Sequence, residues 1–400
     1  MSLSLPSTVS TPEVADIFRL HAHKLPFLTT EQNMIIEQIT SCRTQALGGH
    51  VLRCDHCGYQ EISYNSCRNR HCPKCQSLNR ARWVEDRKAE LLPVPYFHVV
   101  FTIPECLNPV ALYNKAVMYN LLFQAASETL KEVGANPKNL GAKVGFIALL
   151  HTWAQNLNLH PHIHCIVPGG GLDPEKTRWI SSPENYFLPV QILSTVFRGK
   201  LLSFLEKAYD LGQLSFSGIR ENLNDRATFK KLLRTSCSTN WVVYSKPPFS
   251  GPERVLRYLG RYTHRIAISN NRILSVTEDS VTFRFKDRKH QNKIRTMTLD
   301  AVLFMRRFLF HILPKGFVRI RHYGFLGSPT KKETLALCRE LLGENCSEID
   351  SEPVPKNWQE FMQYLTGEDP TLCPICKKGH LIIYEALIPQ KGPPPAEAAA

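Results

Sequence analysis

The chain is organised around one stretch, Leu159-His160-Pro161-His162-Ile163-His164-Cys165-Ile166-Val167, which ends in the glycines 169–171. The apolar run that closes on a glycine turn predicts a β-strand, and alternation places His162 and His164 on one face of it. Neighbours on one strand face lie about 6.6 Å apart, so these two imidazoles can chelate one divalent ion. His160 shares the face but lies about 13 Å from His164. We expect His160 to support the ligands or to contact the substrate.

Length and charge favour a nucleic-acid partner. The chain has 400 residues, enough for two or three domains, and its 49 Lys and Arg exceed its 35 Asp and Glu, which gives a net charge of +14. No stretch of roughly 18 apolar residues and no N-terminal signal pattern is present. We therefore expect a soluble protein that is not exported and has no membrane partner. In a reducing compartment, Cys-x2-Cys pairs indicate metal binding more often than disulfides.

Two such pairs, Cys54/Cys57 and Cys72/Cys75, form a Cys-x2-Cys-x14-Cys-x2-Cys pattern. Four thiolates at this spacing predict one structural zinc ion, which would replace the core that this polar segment lacks. Further possible ligands are interleaved with the pattern: Cys42, His50, Cys67 and His71. They predict a second zinc ion in a cross-braced arrangement; alternatively, the thiols are buried and the histidines bind DNA phosphates.

The cysteine-rich regions contain two further candidate sites. Arg68 and Arg70 are expected to contact DNA phosphates, although solvated surface arginines would look the same. Near the C-terminus, Cys373 and Cys376, followed by His380, form half of a possible third zinc site, which Cys338 and Cys346 could complete. The alternative for that segment is a loop without metal.

A second chemical motif is the segment Val255-Leu256-Arg257-Tyr258-Leu259-Gly260-Arg261-Tyr262-Thr263-His264-Arg265. A capping box at 250–253 predicts a helix over 251–265, which places Tyr258 and Tyr262 on one face with Arg257 and Arg261 beside them. A lone Tyr-x3-Tyr pair is usually structural. Together with a metal-binding histidine pair and nearby cations, however, two phenols are suited to attack a phosphodiester.

At these residues the chain resembles a known family. His162-Ile163-His164 and the pair Tyr258 and Tyr262 are similar to the motifs of two-tyrosine HUH endonucleases. More specifically, three blocks at 66–75, 257–265 and 313–324 resemble the rolling-circle transposases of bacterial insertion sequences. The resemblance implies a cytoplasmic, nucleoid-associated enzyme that nicks single-stranded DNA at element ends through 5′-phosphotyrosine, with Mg²⁺ or Mn²⁺ on the histidines. It also implies a central antiparallel sheet with the tyrosine helix lying across it.

The catalytic metal is expected to have a third protein ligand. HUH enzymes commonly add one polar side chain, and Gln155 lies seven residues before His162. We predict Gln155 as this ligand, with His151 as the alternative. Lys286 and Arg288 belong to a basic run that could follow the DNA strand, or could be a solvated loop.

The predicted fold class is α+β, with a central antiparallel sheet and flanking helices, preceded by a zinc-stabilised module and followed by a helical C-terminal region. The expected divisions are a helical lead-in at 1–40, the zinc domain at 41–92, the nuclease domain at 93–295, a mostly helical region at 296–390 and a disordered tail at 391–400. Strands are predicted at 96–103, 144–153 and 317–320, and helices at 110–133, 189–211 and 298–313.

Two alternatives to a transposase stay open from the sequence. A plasmid replication initiator or a conjugative relaxase would use the same chemistry. A non-catalytic zinc-ribbon DNA-binding regulator would use the zinc module, with the tyrosine helix as a structural element.

Overall fold

A computed structural model describes residues 11–88, 90–249, 255, 260, 266–287, 290–327, 329–343 and 354–390. Its strands are β1 (Gly49–Cys54), β2 (Gln60–Tyr64), β3 (Tyr96–Thr102), β4 (Phe146–Trp153), β5 (Leu159–Pro168), β6 (Gly170–Leu172), β7 (Trp179–Ser181), β8 (Val243–Phe249), β9 (Ile273–Val276), β10 (Ser280–Asp287), β11 (Lys293–Asp300), β12 (Ile320–Tyr323) and β13 (Leu381–Leu387). Its helices are α1 (Val14–His21), α2 (Thr30–Thr40), α3 (Gln76–Lys88), α4 (Asn108–Tyr113), α5 (Lys115–Ala135), α6 (Val190–Asp210), α7 (Arg226–Ser238), α8 (Ala301–Phe310), α9 (Lys331–Leu341) and α10 (Trp358–Thr366).

The largest sheet has five antiparallel strands in the order β12-β4-β5-β3-β8. The predicted histidine strand is its central strand, β5. Strands β4 and β5 are buried almost throughout, because both of their faces are covered. On one face, Ile163, Cys165 and Val167 pack against helices α4 to α7 in the main apolar core.

The opposite face of this sheet carries the histidines. Its apolar half, formed by Ile147, Leu149 and Ile166, belongs to a separate core cluster with Val255 and with residues of α9. Val255 and Gly260 are both helical, so the predicted tyrosine helix has two residues within the described part of the chain. Val255 is fully buried and belongs to the apolar cluster on the histidine face.

A second core lies beside the sheet. Helices α1 and α2 pack with α8 and with the three-stranded sheet β11-β10-β9. Cys42 and Cys72 are buried in the same core. The predicted helical lead-in is therefore part of a larger packing unit that also includes residues from 267 to 312.

The third sheet joins distant parts of the chain. Its order is β13-β1-β2, with β13 antiparallel to β1 so that Gly49 pairs with Leu387 and Cys54 with Leu381. Residues 381–387 thus complete a sheet that begins in the predicted zinc domain. This pairing joins the predicted zinc domain at 41–92 to the predicted C-terminal region at 296–390.

The mixed α+β prediction is confirmed. The predicted strand at 317–320 is displaced, because a turn at Gly316 continues through Phe317, whose N–H donates to the Pro314 carbonyl, so β12 starts at Ile320. The predicted helix at 110–133 is two helices that meet at Asn114. None of the helices described is both long and apolar enough to span a membrane.

Candidate active site and cysteine clusters

Three buried histidines come together on the sheet's second face. His151 on β4 pairs with His162 on β5, and His164 is the next residue on the same face of β5. The ring centroids of His151 and His164 are 4.5 Å apart, and those of His162 and His164 are 4.7 Å apart. One nitrogen from each ring lies within 4.8 Å of the others, near the separation of up to about 4.2 Å that two metal–nitrogen bonds of about 2.1 Å allow. The three donors therefore fit one divalent ion.

The protonation of His162 is fixed by the backbone. Its Nδ1 lies 2.6 Å from the carbonyl oxygen of His160, which can only accept a hydrogen bond. Nδ1 therefore carries the hydrogen, and the lone pair of a neutral His162 is on Nε2. In metal-binding histidines, the ring nitrogen that does not bind the metal typically makes a hydrogen bond of this kind. This hydrogen bond sets the tautomer and the orientation of the ring.

A fourth histidine, His98 on β3, supports the cluster and was missed by the sequence analysis. Its Nε2 lies 2.7 Å from Nδ1 of His164, and the two rings are stacked. Both residues are buried, at 3% and 4% exposure. His98 shares a face with Tyr96 and Val100 on a predicted strand, but its neighbour across the sheet depends on the order of the strands.

The sequence predicts Gln155 as the third ligand, with His151 as the alternative. Gln155 lies in the turn between β4 and β5, beyond the last pair of this hairpin, Trp153 with Leu159, and its backbone carbonyl accepts a hydrogen bond from Arg272. His151 occupies the position beside His162. The predicted alternative is therefore the residue that completes the cluster.

The predicted nucleophiles Tyr258 and Tyr262 lie outside the described residues, as do Arg257, Arg261 and Arg288. Two residues of the same segment, Val255 and Gly260, are described. Val255 belongs to the same apolar cluster as Ile147 and Leu149 of the histidine face, and a Cβ on Gly260 would lie 3.0 Å from Val84 of α3.

The cysteines form two clusters whose members differ from the predicted set. The first cluster contains Cys42, Cys67, Cys72 and Cys75. Sulfur atoms of Cys42 and Cys75 are 3.5 Å apart, and those of Cys67 and Cys75 are 3.6 Å apart. A tetrahedral site with Zn–S bonds of about 2.3 Å requires sulfur–sulfur distances of about 3.8 Å. The cluster therefore has nearly the size of a four-thiolate zinc site.

The second cluster contains Cys54, Cys57, Cys373 and Cys376. The Cys54–Cys376 and Cys57–Cys373 sulfur pairs are each separated by 3.7 Å. The backbone N–H of Gly379 donates to Cys376 at 3.4 Å, and such donors to sulfur lower the pKa of Cys376 to about 6. A thiolate at this position is therefore favoured.

The pairing of β1 with β13 explains why the predicted grouping of Cys54 and Cys57 with Cys72 and Cys75 is wrong. Cys54 ends β1, and Cys373 and Cys376 precede β13. Antiparallel pairing therefore brings the two Cys-x2-Cys knuckles, Cys54/Cys57 and Cys373/Cys376, to the same end of the sheet. Asp55 strengthens the junction by accepting the His380 N–H at 2.8 Å. Gly379 permits it, because a Cβ there would lie 2.7 Å from the Cys54 sulfur.

Neither His50 nor His71 joins these clusters, contrary to the second-zinc prediction. His50 lies on β1 between Ser63 and Ala386. Burial and the neighbouring basic groups, first Arg70, lower the pKa of His71 to about 3. Cys338 is likewise separate, buried in the apolar cluster around α9, and Cys346 lies outside the described residues.

The predicted DNA-contact residues differ in exposure. Arg68 and Lys286 are exposed and available to phosphates. Arg70 is half-buried and donates to the Phe317 carbonyl at 2.8 Å. Arg70 thus has a defined position in the fold, unlike a solvated surface arginine.

Comparison with known proteins identifies the family. A model described as "Transposase zinc-binding domain" matches residues 15–103, and one described as "Putative transposase" matches residues 145–333. The chain is 50% identical over 389 residues to "Putative transposase y4qJ" of Sinorhizobium fredii (strain NBRC 101917 / NGR234), covering 96% of this chain and 98% of that one. It is 27% identical over 357 residues to "Transposase for insertion sequence element IS801" of Pseudomonas savastanoi pv. phaseolicola, covering 88% and 83% respectively.

The first matched region includes the whole first cysteine cluster and half of the second, whereas Cys373 and Cys376 lie beyond both matched regions. The second matched region includes all three clustered histidines and both predicted tyrosines. The matched zinc-binding domain and the cysteine clusters together make zinc a structural component of the chain. The protein belongs to the transposase family of bacterial insertion sequences that carries an N-terminal zinc-binding domain.

Proposed function

We propose that the chain nicks and rejoins single-stranded DNA at the ends of an insertion sequence, by rolling-circle transposition through 5′-phosphotyrosine intermediates. The observation that supports this most directly is the cluster of His151, His162 and His164 on the same sheet face as the helical residue Val255. Tyr258 and Tyr262, the proposed nucleophiles, follow Val255 by three and seven residues. We place this activity in the bacterial cytoplasm, at the nucleoid.

In the proposed reaction, the hydroxyl oxygen of one tyrosine attacks a phosphorus of the DNA backbone. A bond forms between the tyrosine oxygen and phosphorus, the bond to the 3′ oxygen breaks, and the leaving 3′ oxygen ends with the proton as a 3′-OH. Later attack by a 3′-OH reverses these changes and releases the tyrosine. Since the phosphotyrosine keeps the energy of the phosphodiester, rejoining requires no nucleotide cofactor.

The histidines would hold Mg²⁺ or Mn²⁺, which when bound polarises the phosphate and stabilises the leaving oxygen. Hydrogen bonds of His162 and His164 to the His160 carbonyl and to His98 keep the imidazoles oriented. Because imidazole is a softer ligand than carboxylate, we expect Mn²⁺ to bind this set more tightly than Mg²⁺. Arg257 and Arg261 would stabilise negative charge on the phosphate.

We also propose that each cysteine cluster holds one structural zinc ion. The sulfur spacings and the N–H donors to sulfur in both clusters support this assignment. The possible third ion at Cys373 and Cys376 is then the same ion as the one at Cys54 and Cys57. Exposed Arg68 and Lys286 are proposed to contact the DNA backbone.

The test uses end-labelled single strands carrying the element's ends, with and without Mn²⁺, and denaturing gels. Wild-type protein is expected to give a metal-dependent protein–DNA adduct, and Tyr258→Phe/Tyr262→Phe is expected to give none. Tyr186→Phe is the matched control, since Tyr186 is an exposed tyrosine (52%) far along the chain from the proposed site. It should retain full adduct formation.

Two alternatives make different predictions in that assay. A non-catalytic DNA-binding regulator would bind the strands and leave every one intact with either metal, and this outcome would overturn the proposal. A replication initiator or relaxase would also form the adduct. The two named relatives are transposases, so the proposal keeps insertion-sequence ends as the substrate.

A further inference from the structure

The edge strand β8 presents exposed side chains on the same sheet face as the histidines. Its register with β3 pairs Val100 with Tyr244 and His98 with Lys246. Residues paired across antiparallel strands project from the same face of a sheet. Because His98 lies on the histidine face, Tyr244 and Lys246 lie on that face too. Val243, which alternates with them, is buried in the main core on the other side.

Tyr244 lies in one row with the histidine cluster. Val100 on β3 pairs with Tyr244 on one side and with His164 on β5 on the other. Neighbouring strands are about 4.8 Å apart, so Tyr244 is about 10 Å from His164 across the face. This separation is short enough for one DNA strand to contact both residues.

The face becomes more exposed along this row, from β5 to β8. His164 is 4% exposed, Val100 is half-buried and Tyr244 is 48% exposed. Val242 immediately precedes β8 and is 53% exposed, and its carbonyl accepts the Thr102 N–H at 3.1 Å. The side chains of Val242 and Tyr244 therefore form an apolar strip at the open edge of the histidine face.

The charge beside this strip favours a nucleic-acid partner. Nζ of Lys246 lies 5.9 Å from the centroid of the Tyr244 ring. Within the described residues, the strand positions on this face include no Asp or Glu. An aromatic ring beside a cation suits single-stranded DNA, because a base can stack on the ring while the cation contacts a phosphate. Protein–protein interfaces, in contrast, are depleted in lysine.

We propose that Tyr244 stacks against one base of the single-stranded DNA substrate, that Val242 packs beside the same nucleotide, and that Lys246 binds the adjoining phosphate. This inference rests on the proposed function and deepens it, because it names the residues that hold the strand next to the histidines. Since every base has a π-face, the subsite accepts any of the four bases.

The first test measures binding of fluorescein-labelled oligo(dT) by anisotropy, in the Tyr258→Phe/Tyr262→Phe protein so that no strand is cut. Tyr244→Val keeps a residue that favours strands and removes the ring. It should weaken binding by about 5- to 140-fold, the factor that corresponds to stacking of one base. Tyr244→Phe keeps the ring and should bind like the parent.

The control for this test is Tyr186→Val, at a tyrosine of similar exposure (52%) outside the central sheet. It should bind like the parent, and thermal unfolding should confirm that each variant is folded. Unchanged binding by Tyr244→Val would contradict the proposal. Equal losses in Tyr244→Val and Tyr244→Phe would also contradict it, because they would assign the contact to the hydroxyl group.

The second test separates the ring from the charge by titrating salt. One phosphate contact on a single strand contributes about 0.7 to the slope of log K against log salt. Lys246→Gln should reduce the slope by about that amount, and Lys246→Arg should restore it. Tyr244→Val should weaken binding at every salt concentration without changing the slope. Lys207→Gln, at an exposed lysine of α6, is the control; a parent-like slope in Lys246→Gln would contradict the phosphate contact.

The third test requires no substitution at the proposed subsite. Strands carrying the element's end, with 5-iodouracil at one position at a time, are irradiated on the Tyr258→Phe/Tyr262→Phe protein, and the cross-linked peptide is identified by mass spectrometry. We expect the cross-link at Tyr244 from one or two adjacent positions. Cross-links that form only at other residues would contradict the proposal.

These outcomes are separable from the failure of the proposed function. If the wild-type protein forms the adduct and Tyr244→Val binds oligo(dT) like the parent, the stacking subsite is wrong and the tyrosine chemistry stands. If no adduct forms but Tyr244→Val weakens binding and Tyr244 cross-links, the subsite is retained and the nicking activity is wrong.

Discussion

The two cysteine clusters differ in the structure that surrounds them. The first lies in an apolar core, with Cys42 and Cys72 at 0% and 2% exposure, packed with helices α1, α2 and α8. The second lies at the end of a thin sheet, whose strand β13 exposes Ile383 and Tyr384 by 65% and 58%. A metal at the first cluster adds to an existing core, whereas a metal at the second takes the place of one.

The largest expected effect comes from removing single ligands. A structural zinc contributes about 10 kcal/mol or more to small modules that depend on it. Cys376→Ser should therefore release β13 and raise amide hydrogen exchange throughout β1 and β13. Cys72→Ser should leave α1 and α2 protected, because their apolar contacts remain. Hydrogen exchange read by mass spectrometry on both variants makes the comparison.

The control for this experiment is Cys237→Ser, at an exposed cysteine of α7 outside both clusters. It should keep the wild-type exchange pattern and two zinc ions per chain. Equal loss of protection around both clusters in Cys376→Ser and Cys72→Ser would instead show that the two clusters form one cooperative unit.

A smaller effect is expected from acid in the core around the first cluster. Burial lowers the pKa of His311 to about 4, against about 6.5 in the unfolded chain. The unfolded state therefore binds a proton first, and the contribution of neutral His311 to stability is lost as pH falls from 6.5 towards 4, by about 3 kcal/mol in total. Urea unfolding at several pH values should reveal this loss.

His311→Gln is the variant that isolates this contribution. In the wild type, Nε2–H of His311 donates to the Leu157 carbonyl at 3.0 Å, and Nδ1 is 3.1 Å from the Thr152 hydroxyl. The variant should be less stable near neutral pH and should show a shallower decline in acid. Acid protonation of the cysteine clusters is common to both proteins, so equal slopes in the two would contradict the assignment to His311.

The smallest effect is expected from Gly379→Ala in the second cluster. The added methyl group would lie 2.4 Å from Oδ1 of Asp55 and 2.7 Å from the Cys54 sulfur, so the two knuckles must separate slightly. We expect the free energy of zinc binding at this cluster to weaken by about 1–3 kcal/mol. The measurement is the rate of zinc release to a chromogenic chelator, which should be faster. Gly199→Ala in α6 is the control, because a Cβ at Gly199 meets nothing within 4 Å. If Gly379→Ala released zinc at the wild-type rate, the two knuckles would not be closely packed.

Local patterns in the sequence predicted the parts of the fold that depend on neighbouring residues. The alternation around Ile163 identified β5 and the shared face of His162 and His164, because strand geometry fixes which side chains project together. The α+β class followed from similar patterns. The helix at 298–313 was predicted too long at its start, since Asp300 ends β11 and caps α8.

Contacts set by strand pairing were not predictable in the same way. His151 reaches His162 because the β4–β5 register places them opposite each other, with an irregularity between His151 and Trp153. His98 reaches His164 because β3 lies next to β5. Cysteine spacing suggested a grouping within one segment, but the pairing of β1 with β13 decided it. Each of these errors concerns residues whose separation in sequence says nothing about register.

The closure of the second cysteine cluster has a consequence for synthesis of the chain. Cys54 and Cys57 leave the ribosome long before Cys373 and Cys376, and β1 acquires its partner β13 only when residues 381–387 have been made. During elongation the first cluster can assemble from residues 42–75 alone. A copy of the gene shortened at its 3′ end would therefore produce a protein whose N-terminal sheet never closes, so damaged elements would be inactivated even when the histidine and tyrosine codons are intact.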